Sequence, residues 1–413
     1  MGDIAMNELT QTKRLTPRHI MVVVAACGML GAMSSISNVA GVFFTPMATA
    51  LNVGRGSVSL TTTINGMVSA CVGLFIPKVL RSDNFKKLVL LAMVLMVGST
   101  LFISTVSSLP LLYLACVVRG MSAGMVHFVT TTILLSNWYH EKLALVTSIA
   151  MGFTGIGGAV LSPILTAIIG RGGWRAGMIG LAAFMALFLA PALLLPITLK
   201  PGDQGLEPYG RKEEKTETKT VSGERIPIDW LTAGLVIAAA SMASMVTSMA
   251  QHYPGTVSSY GLAAAVGSAM ISAAMIVNTC GKLLYGTIVD RLSNRRTVPL
   301  FGAVTVASLL VILTARSAPL LIAASASYGL CYTLCTVACV MTTKEIFGLE
   351  NYATVYPKVS MGTTIGNAFA AFYIGHLYDV TGSYSPALIM EICFEIAVVV
   401  LISIAYKRGS KAR

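Results

Sequence analysis

Long apolar runs, separated by short polar stretches, make up most of the chain. A helix rises about 1.5 Å per residue, so about 20 apolar residues are enough to cross the hydrocarbon core of a bilayer. Twelve runs reach that length, and we predict an all-α polytopic membrane protein with twelve spanning helices. We number them span 1 to span 12, at residues 19–45, 57–77, 88–108, 110–136, 144–169, 175–197, 229–252, 258–287, 297–315, 319–343, 352–377 and 385–406.

Composition agrees with this pattern. Of the 413 residues, 55% are hydrophobic and 11% are charged, which excludes an ordinary water-soluble domain. The formal net charge of +12 could indicate a nucleic-acid partner, but that function needs cations clustered on one face. Here the cations are dispersed in short stretches between apolar runs. We therefore expect a lipid bilayer as the surroundings and no nucleic-acid partner.

The dispersed cations predict the orientation of the chain. With the N-terminus inside, the tails and inner loops hold 22 of the 29 lysines and arginines, whereas the outer loops hold 4. Cytoplasmic loops of membrane proteins are enriched in lysine and arginine, so both termini are expected in the cytoplasm. The expected location is the plasma membrane.

The longest polar stretch, at residues 200–229, is rich in charge, glycine, proline and threonine, and is typical of a flexible linker. It divides the spans into two groups of six. The predicted organisation is a cytoplasmic tail at 1–18, an N-terminal half at 19–197, a linker at 198–228, a C-terminal half at 229–406 and a tail at 407–413. Transporters built from two parallel repeats bind substrate near the membrane midplane, between the halves.

Two lysines lie inside predicted spans. Lys282 is in span 8, one helical turn after Asn278, and Lys358 is in span 11, directly after Pro357. A cation at the centre of a spanning helix costs about 2.5–3.5 kcal/mol, so it normally faces a partner or a watery cavity. A lysine near a helix end can instead extend to the membrane surface. Two such residues in one half favour a binding site for an anion.

Four further ionisable residues inside predicted spans are candidates for function. Arg119 in span 4 is either a coupling residue or a structural arginine bonded to a neighbouring helix, and His127 follows two turns later on roughly the same face. A histidine can carry a proton near neutral pH, although a hydrogen-bonded structural role is the alternative. Glu391 and Glu395 share a face of span 12, where they either neutralise a cation or carry a proton. All four are candidates for proton coupling or gating.

The sequence contains no constellation typical of an enzyme. No HExxH motif and no pair of catalytic acids in a polar loop occurs. The eight cysteines all fall within predicted spans, without a CxxC pair or a His/Cys cluster at metal-ligand spacing. We therefore expect no catalytic residues, no cofactor and no metal site.

Several motifs resemble those of the major facilitator superfamily. One is the string that closes span 8, GTIVDRLSNRR, which contains Asp290 and Arg291, and another is the string RGMSAGM in span 4. Within that superfamily the chain is similar to the branch of oxalate:formate antiporters and monocarboxylate porters. The matching positions are Lys282, four residues before Gly286, and Lys358 in the string YPKVSMG.

The resemblance implies a site and its chemistry. Members of that branch hold a substrate carboxylate with one cation in span 8 and one in span 11, which correspond to Lys282 and Lys358. The other pocket residues that the resemblance implies are Asn278, Ser37, Asn38, Tyr328 and Tyr332. The loop with Asp290 and Arg291 corresponds to a gating loop.

Three departures from the family pattern change the expected mechanism. Lys282 stands where the antiporters have arginine, so it offers a point charge without a bidentate fork. Asn278 stands where proton-coupled relatives have aspartate, so a proton would be carried elsewhere. In the N-terminal copy of the gating motif, Pro77 and Arg81 stand where the glycine and the aspartate would be.

The expected function is secondary active transport of a small organic anion, a monocarboxylate or related carboxylate, by alternating access. Anion exchange and proton coupling are both open, and a monomer is expected. Two alternatives remain: a proton-driven exporter of drug-like compounds, which would use Arg119 more than the lysines, and a transporter-like receptor that binds a ligand without moving it.

Overall fold

The N-terminal half is a group of helices that cross the bundle six times. The computed structural model describes residues 15–210 and 228–409 of the chain. The helices of this half are Pro17–Asn38 with Gly41–Leu51 (span 1), Arg55–Val79 (span 2), Phe85–Thr105 (span 3), Leu109–Met125 with Phe128–Trp138 (span 4), and Leu143–Leu194 (spans 5 and 6).

The C-terminal half also crosses six times, and two of its spans contain irregular turns. Its segments are Trp230–Val246, the 3₁₀ helix Thr247–His252 and Tyr253–Ser259 (span 7), Ala264–Leu292 (span 8), Asn294–Thr314 (span 9), Ala318–Tyr328, Cys331–Thr333, the π-helix Leu334–Ala338 and the start of Cys339–Thr381 (span 10), the rest of Cys339–Thr381 (span 11), and Ser385–Gly409 (span 12).

Two glycines turn the chain between consecutive spans. Gly173, with φ of 74°, interrupts Leu143–Leu194, and Gly348, with φ of 68°, interrupts Cys339–Thr381. Glycine reaches these backbone angles without a steric penalty, so each long helix accounts for two crossings. By length and apolarity alone, ten helical segments of the described chain can cross a membrane, and one of them is Leu145–Leu194. The predicted all-helical membrane fold is confirmed.

The two halves meet along two pairs of helices. Span 2 crosses span 11, and span 5 crosses span 8. We call the end of the bundle where the described chain begins and finishes the tail end, and the opposite end the far end. The first part of the predicted linker packs at the tail end, where Trp138 Nε1 donates to the carbonyl oxygen of Thr198 over 2.9 Å. Residues 1–14, 211–227 and 410–413, with most of the linker and parts of both tails, lie outside the described residues.

Candidate functional site

The crossing of spans 5 and 8 forms a wall where the two halves meet. Ser272 Oγ donates to the carbonyl oxygen of Ala159 over 2.6 Å, and Thr279 Oγ1 lies 3.4 Å from that of Gly152. The helices approach closely because span 5 has glycines here: a Cβ at Gly155 would lie 2.4 Å from Thr279 Oγ1. This contact brings side chains of span 8 up to the N-terminal half.

Span 1 reaches the same wall through Asn38. Its Nδ2 donates to the carbonyl oxygen of Thr154 over 2.9 Å, and its Cβ lies 2.8 Å from the position that a Cβ of Gly158 would occupy. Ser37, half-buried, precedes it. A Cβ at Gly158 would also lie 3.3 Å from Met275 Cγ of span 8, so spans 1, 5 and 8 converge here.

Asn278 and Lys282 supply the polar chemistry of span 8 at this wall. Met275, Asn278 and Lys282 follow the helical period, so they share one face. Asn278 Oδ1 is buried and has no hydrogen-bond partner among the described residues. Lys282 is half-buried beside the thiols of span 10, and its ammonium makes no hydrogen bond or salt bridge within the described chain. An unpaired cation and an unused amide oxygen thus lie one turn apart.

The tyrosines of span 10 support the break in span 7. Tyr328 donates its hydroxyl hydrogen to the carbonyl oxygen of Val246, and Tyr332 donates to that of Thr247 over 2.9 Å. These carbonyl groups lie where the α-helix gives way to the 3₁₀ helix, and a broken helix inside a membrane needs such partners. Both hydroxyl hydrogens are therefore already used. Tyr328 is fully buried, and Tyr332 keeps part of its ring surface exposed.

Asn367 of span 11 is a polar group at this break that the sequence did not single out. Its Nδ2 lies 3.3 Å from Thr247 Oγ1 and 3.4 Å from Ser248 Oγ. The sequence analysis did not find Asn367 because it did not predict the break in span 7, which brings these hydroxyl groups to face span 11. Pro254, which follows the 3₁₀ helix, is the feature of the sequence that could have indicated the break.

Lys358 lies in different surroundings from Lys282. Its side chain is exposed, its Nζ donates to the carbonyl oxygen of Thr354 over 3.1 Å, and its Nζ is 5.1 Å from the ring centroid of Trp230. One turn further, Gly362 packs against Ser241 of span 7. The structure therefore places Lys358 beside span 7 and Lys282 beside span 10.

Arg119 is buried inside the N-terminal half. Its Nε donates to Asn65 Oδ1 of span 2 over 3.3 Å, and it lines a cavity of about 20 Å³ together with Thr61 and Cys116. That volume is enough for about one water molecule. His127 is not on the same helix, because the first segment of span 4 ends at Met125 and the next begins at Phe128. The helical period on which the expected alignment of Arg119 with His127 was based is therefore interrupted between the two residues.

The remaining candidates lie in the C-terminal half, and two of them are buried while the other two are exposed. Glu391 and Glu395 are fully buried, and Tyr373 donates its hydroxyl hydrogen to Glu391 Oε1. Asp290 and Arg291 are exposed in a surface groove at the tail end, and neither makes a hydrogen bond or salt bridge within the described chain. No group of three or more histidine, cysteine or acidic residues among the described residues is placed to hold a metal ion.

Two groups of six membrane crossings that meet along spans 2 and 11 and along spans 5 and 8 are typical of a membrane transporter. A sequence model of the Major Facilitator Superfamily matches residues 24–278 and 233–412, and the chain belongs to that family. It is accordingly a transporter and not an enzyme.

Individual relatives are more distant. The chain is 24% identical to Monocarboxylate transporter 12 of Rattus norvegicus over 283 residues, which cover 62% of this chain and 58% of that protein. It thus spans less than two thirds of that relative's length. It is 22% identical to Monocarboxylate transporter 13 of Rattus norvegicus over 386 residues, which cover 91% of this chain and 86% of that protein.

Two solved structures share the fold at low sequence identity. The nucleoside transporter NupG superposes with a TM-score of 0.71 at 12% identity, over 95% of this chain and 100% of that one. A bacterial homolog of the human lysosomal transporter Spinster, in an inward-facing and occupied conformation, superposes with a TM-score of 0.66 at 13% identity, over 97% and 98%. These likenesses support the fold alone.

Proposed function

We propose that this chain is a secondary transporter of a small organic anion, a monocarboxylate or related carboxylate, and that it works by alternating access between its halves. One observation carries the proposal: Lys282 holds an unpaired, half-buried cation one turn from Asn278, on a helix that packs against span 5 of the N-terminal half. A cation inside a membrane protein needs a counter-charge, and a substrate carboxylate would supply it. The similarity to monocarboxylate transporters supports the same substrate class.

In this proposal Lys282 is the primary ligand of the carboxylate. Asn278, one turn away, contributes its amide, while Ser37, Asn38 and the rings of Tyr328 and Tyr332 shape the rest of the pocket. Lys358 is a second, weaker ligand, because its ammonium already has a backbone acceptor and an aromatic ring. Asp290 and Arg291 act in gating at the tail end, and Arg119 in coupling.

The proposed setting is the plasma membrane, with a monomeric chain and both termini in the cytoplasm. The tail end then faces the cytoplasm. We expect a cysteine replacing the exposed Asp203, in an otherwise cysteine-free chain, to react with an impermeant maleimide only after cells are permeabilised. Labelling of intact cells would contradict this orientation.

Counterflow in proteoliposomes tests the transport proposal. Vesicles with the purified chain are loaded with unlabelled lactate or pyruvate and diluted into a trace of the labelled compound, which should accumulate transiently inside. A receptor would give no flux, and an exporter of drug-like compounds would ignore carboxylates. Absence of counterflow across a panel of monocarboxylates would reject the proposal.

A variant series at Lys282 tests the binding role. Loss of one charge-assisted contact costs about 1.5–3 kcal/mol, so Lys282→Gln should weaken carboxylate affinity roughly 10- to 150-fold. Lys282→Arg keeps the charge and should retain most of the affinity. Lys344→Gln removes an exposed lysine at the tail end and serves as the matched control. The protein should still fold, because removing an unpaired cation leaves no partner stranded.

A further inference from the structure

Arg119 is a buried cation without an acidic partner in the described chain. Its relative exposure is 6%. Its two hydrogen-bond contacts there go to neutral groups: Nε donates to Asn65 Oδ1 over 3.3 Å, and Nη2 lies 3.7 Å from Cys116 Sγ. Nη1 makes no hydrogen bond within the described chain. An arginine side chain stays charged in proteins, and a buried charge without compensation is strongly disfavoured.

The sequence offers Arg119 no counter-charge inside its own half. Residues 19–197 contain two acidic residues, Asp83 and Glu141. Both lie in loops at the tail end, outside the six spans, and neither forms a salt bridge with Arg119. Buried charges in proteins are normally paired. Because no span of this half carries an acid, no side chain of these spans can neutralise the guanidinium.

A cavity inside the N-terminal half lies beside this guanidinium. Its volume is about 20 Å³, and its lining comes from spans 1, 2, 3, 4 and 6, with no described residue of the C-terminal half. Apart from Arg119, the polar side chains of the lining are Thr61 and Cys116, and the others are apolar. The cavity is therefore separate from the surface where the two halves meet.

A helix also begins at this cavity. The second segment of span 1, Gly41–Leu51, starts after a break in the helix. Ala40, Phe43 and Phe44, at that start, line the cavity. The first N–H groups of a helix carry a partial positive charge, which favours a nearby anion. Arg119 and this helix start thus both make the cavity positive, and its lining contains no acidic side chain.

We propose that the cavity binds one small inorganic anion, a halide such as chloride, against Arg119. Size decides the class of anion, because the volume is enough for about one particle of the size of water. A chloride ion is only slightly larger than a water molecule, whereas a carboxylate has at least three heavy atoms. The anion is therefore not the proposed substrate. It is a fixed component of the N-terminal half that neutralises Arg119 and joins spans 1, 2 and 4 around it.

Thermal unfolding of the purified chain gives the first test. Unfolding midpoints are measured in sodium chloride and in sodium methanesulfonate, an anion too large for the cavity, at equal ionic strength. A ligand that binds only the folded state raises the midpoint, so chloride should give a saturable rise of about 2–5 °C. Bromide should act as chloride does. In Arg119→Gln, which removes the charge, the difference between the salts should vanish, whereas Arg119→Lys should keep part of it.

Two control variants separate this site from other cations. Arg171→Gln removes an exposed arginine of the same half that makes no hydrogen bond or salt bridge within the described chain, and it should keep the full halide response. Lys282→Gln should keep it as well, because that lysine belongs to the proposed substrate site. A wild type without a halide response would overturn the proposal, and so would a response that Arg119→Gln retains or that Lys282→Gln abolishes.

Crystals of the unaltered chain grown in sodium bromide give a second test, which decides the question even where Arg119→Gln does not fold. Anomalous scattering at the bromine absorption edge should show a peak in the cavity, within hydrogen-bonding distance of Arg119 Nη1. Density for a water molecule there without an anomalous peak would overturn the proposal. The test needs no transport, so its outcome does not depend on the proposed carboxylate substrate.

Discussion

The far end and the tail end of the bundle differ in how the two halves meet. At the far end Asp379 of span 11 accepts hydrogen bonds from the backbone N–H groups of Arg55 and Gly56, over 2.8 and 2.7 Å. Arg55 donates to the hydroxyl of Tyr384 over 3.0 Å. At the tail end the polar contacts stay within one half: Lys86 bonds to the carbonyl oxygen of Leu195, and Arg408 pairs with Asp229.

This difference indicates which contacts hold the conformation. The far-end contacts combine hydrogen bonds to a carboxylate with direct backbone approach, and a Cβ at Gly41 would lie only 1.7 Å from the carbonyl oxygen of Gln251. Loss of about 1.4 kcal/mol changes an equilibrium tenfold. A few contacts of this kind are therefore enough to hold the halves together at the far end, and substitutions at the two ends should have unequal effects.

The largest effect is expected from Gly41→Ala. The added methyl group meets backbone of span 7 rather than a mobile side chain, so spans 1 and 7 must separate at the far end. Spin labels are attached at the exposed Ser107 and Ser317, one in each half. Double electron–electron resonance in lipid should show a longer distance between the two labels than in the chain without the substitution. Gly98→Ala is the matched control, because a Cβ there meets nothing within 4 Å. An unchanged distance distribution would show that the halves do not need this contact.

Asp379→Asn should have the next largest effect. The amide keeps one acceptor oxygen but loses the charge and the second acceptor, and hydrogen bonds to charged groups contribute about 1.5–3 kcal/mol. The population with an open far end should rise roughly 10- to 100-fold, measured with the same pair of spin labels. Asp83→Asn, which removes an exposed acid at the tail end, should leave the distribution as in the wild type.

A smaller effect is expected from Arg55→Lys. The guanidinium lies 3.9 Å from the centroid of the Tyr378 ring, a contact that contributes about 0.5–2 kcal/mol. Burial raises the pKa of Tyr384 to about 12, so its phenol stays neutral and accepts from Arg55 at physiological pH. The effect of Arg55→Lys should therefore not vary between neutral and mildly alkaline buffer. A double-mutant cycle with Tyr384→Phe measures the coupling, and a zero value would remove this pair from the far-end contacts.

The smallest effect is expected at the tail end. Arg295 is exposed, and exposed substitutions usually change stability by less than about 0.5 kcal/mol. Arg295→Gln should change the far-end population less than about twofold. A larger shift would mean that the tail-end groove takes part in holding the observed state, and the contrast between the two ends would fail.

Apolar patterning was sufficient to predict the helices but not their irregularities. Each span needs about 20 apolar residues, which a sequence displays directly. The break between Met125 and Phe128 and the 3₁₀ helix Thr247–His252 leave no such trace, because neighbouring helices supply the hydrogen bonds that make them possible. Span 11 shows the reverse case, in which a regular helix has weak apolar patterning. It is helical in the structure, although its glycines and hydroxyl groups keep it below the apolarity of the ten segments that can cross a membrane.

Some residues of the candidate site could likewise be predicted from the sequence, and others could not. The sequence predicted that Lys282 and Asn278 share a face of span 8, because two residues four apart must do so on a helix. It could not place Lys358, whose surroundings depend on the rotation of span 11 against span 7 and on Trp230. Nor did it single out Asn367, since the hydroxyl groups that Asn367 meets are aligned by the break in span 7, which only Pro254 marks in the sequence.

The crossing of spans 5 and 8 has a consequence for engineering. Its contact surface consists of glycines, small side chains and backbone carbonyl groups, and it includes Asn278, since a Cβ at Gly155 would lie 3.5 Å from Asn278 Nδ2. Lys282, one turn further along span 8, lies beside the thiols of span 10. A library restricted to position 282 would therefore vary the proposed ligand while keeping the small residues at which the halves meet, which would make the chain a starting point for selecting transport of other metabolites in a production strain.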